Sequence, residues 1–173
     1  SHNKYYRWWT LASTIQRLTG GKHQSILDVG GGEGGLAHFL PECSYCLAEP
    51  TVNGISGESL PFDDESFDFV VACHVLEHIA VENRQEFLKQ LLSKSREGLI
   101  LLNPFHIEGS SESERLELTI DITDADWAKE HLNCTLPDLA LIKSFAEQNS
   151  LSLEISPNGT LTTSMSLVLM EHF

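Results

Sequence analysis

The sequence predicts an α/β chain: a doubly wound, mostly parallel sheet with helices on both faces and an antiparallel hairpin at its C-terminal edge. Three observations carry this. Short β-rich runs alternate with helical ones, which is how a parallel sheet covered by helices is written. Two of the runs, "FDFVVACHV" and "GLILLNP", are nearly all apolar, as strands buried on both faces are. Near the end, "LSLEIS" and an alternating run at Leu161, Thr163, Met165, Leu167 and Leu169 flank Asn158-Gly159. Asn-Gly between two strand-like runs is a hairpin signal.

The elements follow in order. Residues 4–19 carry apolar side chains at Trp8, Leu11, Ala12, Ile15 and Leu18, a helical spacing that Gly20-Gly21 ends. "SILDV" is a short strand that opens into "GGGEGG", and "LAHFL" is a short helix stopped by Pro41. "SYCLAE" is a second strand, followed so closely by "PTVNGIS" that no helix of normal length fits. "FDFVVACHV" is the third strand. "ENRQEFLKQLLSKS" is amphipathic, with Phe87, Leu88, Leu91 and Leu92 on one side, and "GLILLNP" is the next buried strand. The polar stretch 108–130 has no clear period. "LPDLALIKSFAEQNS" reads as a helix, and the closing run as a strand, though Leu161, Met165 and Val168 also fit a helix. There are no repeats, low-complexity segments or linker-like stretches. One domain is therefore expected over 1–173: an N-terminal helix within 1–22, a core at 25–104, and a segment with the C-terminal hairpin at 105–173.

Composition narrows the function. Apolar content is 41% and charged content 21%, ordinary for a soluble globular protein. A net charge of −14 would repel a phosphate backbone. Nucleic acid and anionic membranes are thus disfavoured, and a small neutral or cationic substrate fits. No apolar run approaches a membrane span, and no signal-peptide pattern is seen. Cys43 and Cys46 form a lone CxxC with no second pair, a weak metal or redox signal. Reduced thiols in a cytoplasmic protein are the simpler expectation.

The glycine loop carries the chemistry. Gly30, Gly32 and Gly35 satisfy G-x-G-x-x-G, a dinucleotide spacing. Asp28, Gly30, Gly32 and Gly34 also satisfy D-x-G-x-G-x-G. The second pattern puts a carboxylate where the loop opens. It would repel a pyrophosphate and attract a ligand carrying an ammonium and a sulfonium. Glu49, 21 residues beyond Asp28, closes the second strand, where an acid can accept hydrogen bonds from ribose hydroxyls. Glycine in this number costs conformational entropy, so a turn without a ligand is the weaker reading.

These stretches resemble the class I S-adenosylmethionine-dependent methyltransferases, in particular small bacterial type-11-like domains with a Rossmann-like sheet. "ILDVGGGEG" is similar to that family's first motif, "AEP" to its ribose-binding acid, and "ESLPFDDESFDFVVACHVLEHI" to the stretch around its fourth strand. "GLILLNP" resembles its fifth strand. The resemblance covers residues 25–104 and implies S-adenosyl-L-methionine as cofactor. Asp28, Gly30 and Gly32 would hold its methionine end, Glu49 its ribose, and His74 would lie by its reacting end. The family usually has an acid near Ser56 that reads adenine; here Ser56, Gly57 or Glu58 would do so. The later "WAKEHLNCTLPDL…PNG" leans toward a subgroup associated with glycan modification. The acceptor is thus expected to be a small molecule or glycan.

Several features compete for attention. "HVLEH", His74 to His78, spells H-x-x-E-H, which on a helix would be an inverted zinc-protease motif; no metal is expected here. His78 and His106 fall on the ligand side of the sheet and are candidate general bases, with His131 behind them. His23, His38 and His172 read as structural or exposed. Tyr5, Tyr6, Trp8 and Trp9 cluster on the first helix, where one indole packs and the other is open to a substrate role. The reading is a methyltransferase. Its alternatives are a non-catalytic S-adenosylmethionine-binding module and a nicotinamide-dependent reductase, and the oligomeric state is not legible.

Overall fold

The computed structural model describes residues 2–106 and 112–158. It divides into two compact units, 4–103 and 104–173 together with 1–3.

The first unit begins with α1 (His2–Thr19), then β1 (Ser25–Val29), β2 (Ser44–Ala48), α2 (Pro50–Asn53), β3 (Phe67–Cys73), α3 (Arg84–Lys94) and β4 (Ser95–Leu102). The four strands form one parallel sheet in the order β2-β1-β3-β4. β1 is central, and its last four residues are buried. Side chains alternate across the sheet, so Ile26, Phe69 and Val71 share one face. There they form a core with Leu11, Ala12 and Ile15 of α1 and with Leu36 and Leu40. Leu27, Val29, Val70 and Ala72, all buried, share the other. α3 buries Phe87, Leu88 and Leu91 and packs on β3 and β4; its Phe87 and Val29 close together on Gly57. The expected helices on both faces are thus in place within this unit.

At the N-terminal ends of the strands a polar knot sets the register. Asp68 accepts from the Ser25 N–H (2.7 Å) and hydroxyl (2.9 Å). Arg96 donates to Asp68 (2.7 Å) and to the Glu65 carbonyl (2.6 Å). Partial burial pushes the Asp68 carboxyl up, but the hydrogen bonds from Ser25 and Arg96 outweigh it and hold it below the usual range.

The short connection after β2 contains only the four residues of α2, as the sequence required. "LAHFL" forms a 3₁₀ turn, Gly35–Phe39, because left-handed Gly34 starts it and Pro41 follows. "GLILLNP" corrects an expectation: β4 is mostly half-buried, since it lies at an edge of the sheet among the described residues.

The second unit contains α4 (Glu112–Thr123), α5 (Asp126–Asn133) and α6 (Leu139–Gln148). α6 is capped by Asp138, whose carboxylate accepts the Ala140 N–H at 2.7 Å. From 112 onward the polar stretch without a clear period is thus largely helical. Residues 151–158, expected to begin a hairpin, take no strand pairing among the described residues and are exposed. Its second strand at 161–169, Gly159 and His172 lie outside the described residues.

Candidate functional site

In an open α/β sheet, ligands bind beyond the C-terminal ends of the strands where the strand order reverses. Here that crevice lies between β1 and β3. β1 delivers Asp28 and the glycine loop, β2 delivers Glu49, and β3 delivers His74.

Asp28 is 2% exposed. Tyr45 donates its hydroxyl to Asp28 Oδ2 at 2.6 Å, whereas Oδ1 is buried without a hydrogen-bond partner among the described residues. Burial pushes this carboxyl up to about 6, against the hydrogen bond from Tyr45, with the nearby Glu49 charge adding to the rise. The carboxylate lies directly under Gly31. A Cβ there would come within 2.5 Å of Asp28 Cγ and 2.9 Å of Oδ1, and nearer still to Oδ2. Gly31 belongs to neither glycine spacing and was missed; the unbroken triplet Gly30–Gly32 was its only signal.

Gly30, Gly32 and Gly34 all have positive φ, the left-handed region that favours glycine. A Cβ on Gly30 would strike Val75 at 2.5 Å, so the exit of β3 is seated against the loop. A Cβ on Gly32 would meet nothing within 4 Å, which leaves its outer side open. Its N–H donates to Glu49 Oε2 at 3.0 Å.

Glu49 is fixed from two sides. Its Oε1 accepts the Thr51 N–H (3.2 Å) and hydroxyl (2.8 Å), capping α2. Slight desolvation pushes its carboxyl up, but the bonds from Thr51 and Gly32 prevail and hold it below the usual range. A carboxylate oxygen offers about two acceptor positions, so Oε2 retains one for a ligand hydroxyl.

At the exit of β3, His74 has φ 56, uncommon for a residue with a side chain. Its N–H donates to the Leu102 carbonyl at 2.8 Å. His74 Nδ1 lies 3.0 Å from Glu77 Oε1, at ion-pair distance but out of hydrogen-bond alignment. Glu77 is buried and accepts from Asn103 Nδ2. Because His74 leaves a strand and only Leu76–His78 forms a 3₁₀ turn, "HVLEH" does not make the α-helix of a zinc-protease motif. His78 is exposed at the end of that turn.

The other candidates are spread. Gly57 sits against Val29 and Phe87, where a Cβ would come within 2.7 and 3.0 Å. Ser56 accepts the Glu58 N–H through its hydroxyl at 3.2 Å, stabilising a local turn. Glu58 lines a cavity of about 550 Å³ with Asn83, Glu86, Phe87 and Gln90, on the α3 side rather than at the ends of β1 and β2. His106 is exposed in the second unit, where its N–H donates to the Pro137 carbonyl at 2.9 Å. Trp8 is the packing indole, its ring pressed against Gly35, whereas Trp9 is 52% exposed and stacks on Tyr6. All four cysteines are free. No described helix is long and apolar enough to cross a membrane.

A glycine loop over a buried acid, with a second acid closing the next strand, is an arrangement that suits a nucleotide cofactor in a doubly wound sheet. Residues 4–148 match the family described as "Methyltransferase domain", and the chain belongs to it. Enzymes of this family use S-adenosylmethionine. Among solved structures, the chain is similar to the plantazolicin methyltransferase BpumL in complex with SAH, with a TM-score of 0.60 at 16% identity, covering 98% of this chain and 79% of that one. It also resembles a chain from Bacillus halodurans classed as a methyltransferase (TM-score 0.54, 19% identity, 78% and 62% covered). A chain from Anabaena variabilis classed with antibiotic biosynthesis gives 0.57 at 19% identity, with 81% and 60% covered. Identities this low speak for the fold alone. The chain spans less than two thirds of the length of the last two. No curated protein matches.

Proposed function

We propose that this chain binds S-adenosylmethionine across the C-terminal ends of β1 and β2 and methylates a small-molecule or glycan-type acceptor. The observation that carries the reading is the buried Asp28 carboxylate under Gly31, with an unsatisfied oxygen and Glu49 beside it. A buried carboxylate oxygen that no described residue bonds is costly, and a ligand ammonium relieves that cost. A pyrophosphate does not, which speaks against a nicotinamide cofactor.

In this reading Asp28 attracts the amino end of the ligand, and the open side of Gly32 lets it approach the backbone. Glu49 Oε2 accepts a ribose hydroxyl. Ser56 and Gly57 flank the base, on a side thinned by the four-residue α2, whereas Glu58 faces the α3 cavity and is set aside. His74 stands near the reacting end. When bound, S-adenosylmethionine supplies a methyl group on positively charged sulfur, already activated for in-line displacement. The protein's contribution is then mainly to align the acceptor, which can be worth roughly 7–11 kcal/mol. Where the acceptor is a hydroxyl, His78 or His106 would take its proton, for roughly 10²–10⁴-fold more. The charge of −14 favours a neutral or cationic acceptor over nucleic acid, and free cysteines accord with the cytoplasm.

The test is substitution with calorimetry. Asp28→Ala should abolish binding of S-adenosylmethionine while circular dichroism stays native. Unchanged affinity would remove the loop from the site.

A further inference from the structure

Tyr45 lies on β2, opposite Ile26 rather than opposite Asp28. Its side chain is on the α1 face and partly buried. From there it reaches along the strand to Asp28 Oδ2 at 2.6 Å, and its oxygen also lies 3.5 Å from where a Cβ of Gly34 would be. The hydroxyl is therefore wedged between the acid and the far limb of the glycine loop. It is the only hydrogen-bond donor to Asp28's side chain among the bonds described.

We propose that Tyr45 is a positioning residue of the cofactor site, its hydroxyl fixing the Asp28 carboxylate under Gly31 as the anion that the ligand's ammonium requires. The inference rests on the cofactor assignment above. A phenol donating to a carboxylate favours the charged form, and charge-assisted bonds of this kind are the stronger ones. Without that donor, burial would act on Asp28 unopposed. The acid would then be protonated for a larger share of the time near neutral pH, and free to turn away from the loop.

The surrounding groups are consistent with this role. From β2 and its end, Tyr45 and Glu49 face Asp28, and Glu49 disfavours its charge. From β3, burial pushes the Cys73 thiol up to about 12, so it stays neutral. Glu77 acts on Cys73 from the β3 exit and Arg7 from α1, with His74 beside Glu77. Lys4 and Arg17 on α1, and Glu33 and His38 around the loop, are exposed. Tyr45 itself is pushed up by burial and by Asp28, so it keeps its proton and remains a donor.

The experiment is calorimetric titration with S-adenosylhomocysteine from pH 5 to 8, on the full chain and on Tyr45→Phe and Asp28→Asn, with ¹³C NMR of the Asp28 carboxyl. In the unsubstituted chain affinity should fall as pH drops through the Asp28 titration. In Tyr45→Phe the midpoint should rise by about one pH unit, so affinity at pH 7 drops about twofold, drops more steeply toward pH 6, and recovers almost fully by pH 8. Asp28→Asn should bind weakly with no such pH dependence. A Tyr45→Phe profile that superimposes on the parent, or a loss equal at every pH, overturns the positioning role and leaves the cofactor assignment standing. An Asp28 titration near the ordinary value of about 4 in the unsubstituted chain also overturns it, even if Tyr45→Phe fails to fold. Absence of binding by the unsubstituted chain at every pH overturns the assignment and this proposal together.

Discussion

Gly31→Ala isolates one contact under the loop. The φ of Gly31 is outside the left-handed region, so alanine strains no backbone and adds only a methyl. That methyl would sit 2.5 Å from Asp28 Cγ, about 0.9 Å short of the 3.4 Å where ordinary contact begins. Asp28 is buried and tied to Tyr45, so it can retreat only by breaking that bond. Overpacking of this kind costs roughly 1–3 kcal/mol, and the lost charge-assisted bond roughly 1.5–3 kcal/mol if it breaks. The expected total of about 2.5–6 kcal/mol should lower the melting temperature by roughly 5–25 °C in a chain of this size. Thermal denaturation of the four members of a cycle (parent, Gly31→Ala, Asp28→Ala and the double variant) reads the coupling directly. Removing the carboxylate should restore most of what Gly31→Ala loses. Additive losses, or a Gly31→Ala protein as stable as the parent, would refute the placement of Asp28 under the loop.

Four further outcomes follow from the same structure. Asp28 titrates near 6 when folded, above its unfolded value, so its contribution to stability is present at low pH and is lost as pH rises through about 6. Asp28→Asn should therefore stabilise the ligand-free protein at pH 8 by about 2–3 kcal/mol in urea titrations, while weakening cofactor binding. Glu49→Ala removes both the α2 cap and the ribose acceptor; it should cost about 1 kcal/mol in stability and weaken adenosine nucleosides as well as the full cofactor. Arg96→Ala should cost about 1 kcal/mol, given its half-exposed side chain. Because Asp68 is held low, the stability it gives is present above its unfolded value and lost as pH falls through the folded one, so the Arg96→Ala deficit should shrink toward pH 3. Trp8→Ala should cost roughly 3 kcal/mol or more and Trp9→Ala less than about 0.5 kcal/mol, read by denaturant midpoints.

The core of the fold was legible because its signals are local. Buried strands show as apolar runs, and both Asp28 and Glu49 were found because they close such runs. The loop was legible for the same reason. Gly31 was not, since only the turn of the loop brings it over Asp28, and Tyr45 was not, since its contact is cross-strand: it pairs with Ile26 and reaches Asp28 only by leaning along the sheet. The helices over 112–133 were obscured by polar residues and weak periodicity. The half-burial of β4 depends on what lies beside it in the sheet, which its own composition does not encode. "HVLEH" shows the reverse: a spacing that only a helix would turn into a zinc-protease motif does not lie on one, because His74 leaves a strand with positive φ. The general bases were chosen by chain position alone, and His78 and His106 both prove exposed.

The most direct measurement is parallel calorimetric titration of the chain with S-adenosylmethionine, S-adenosylhomocysteine and NADH. The account predicts binding of the two sulfur nucleotides and none of NADH. Binding of NADH alone would contradict it, because a pyrophosphate would then be sitting over the Asp28 carboxylate.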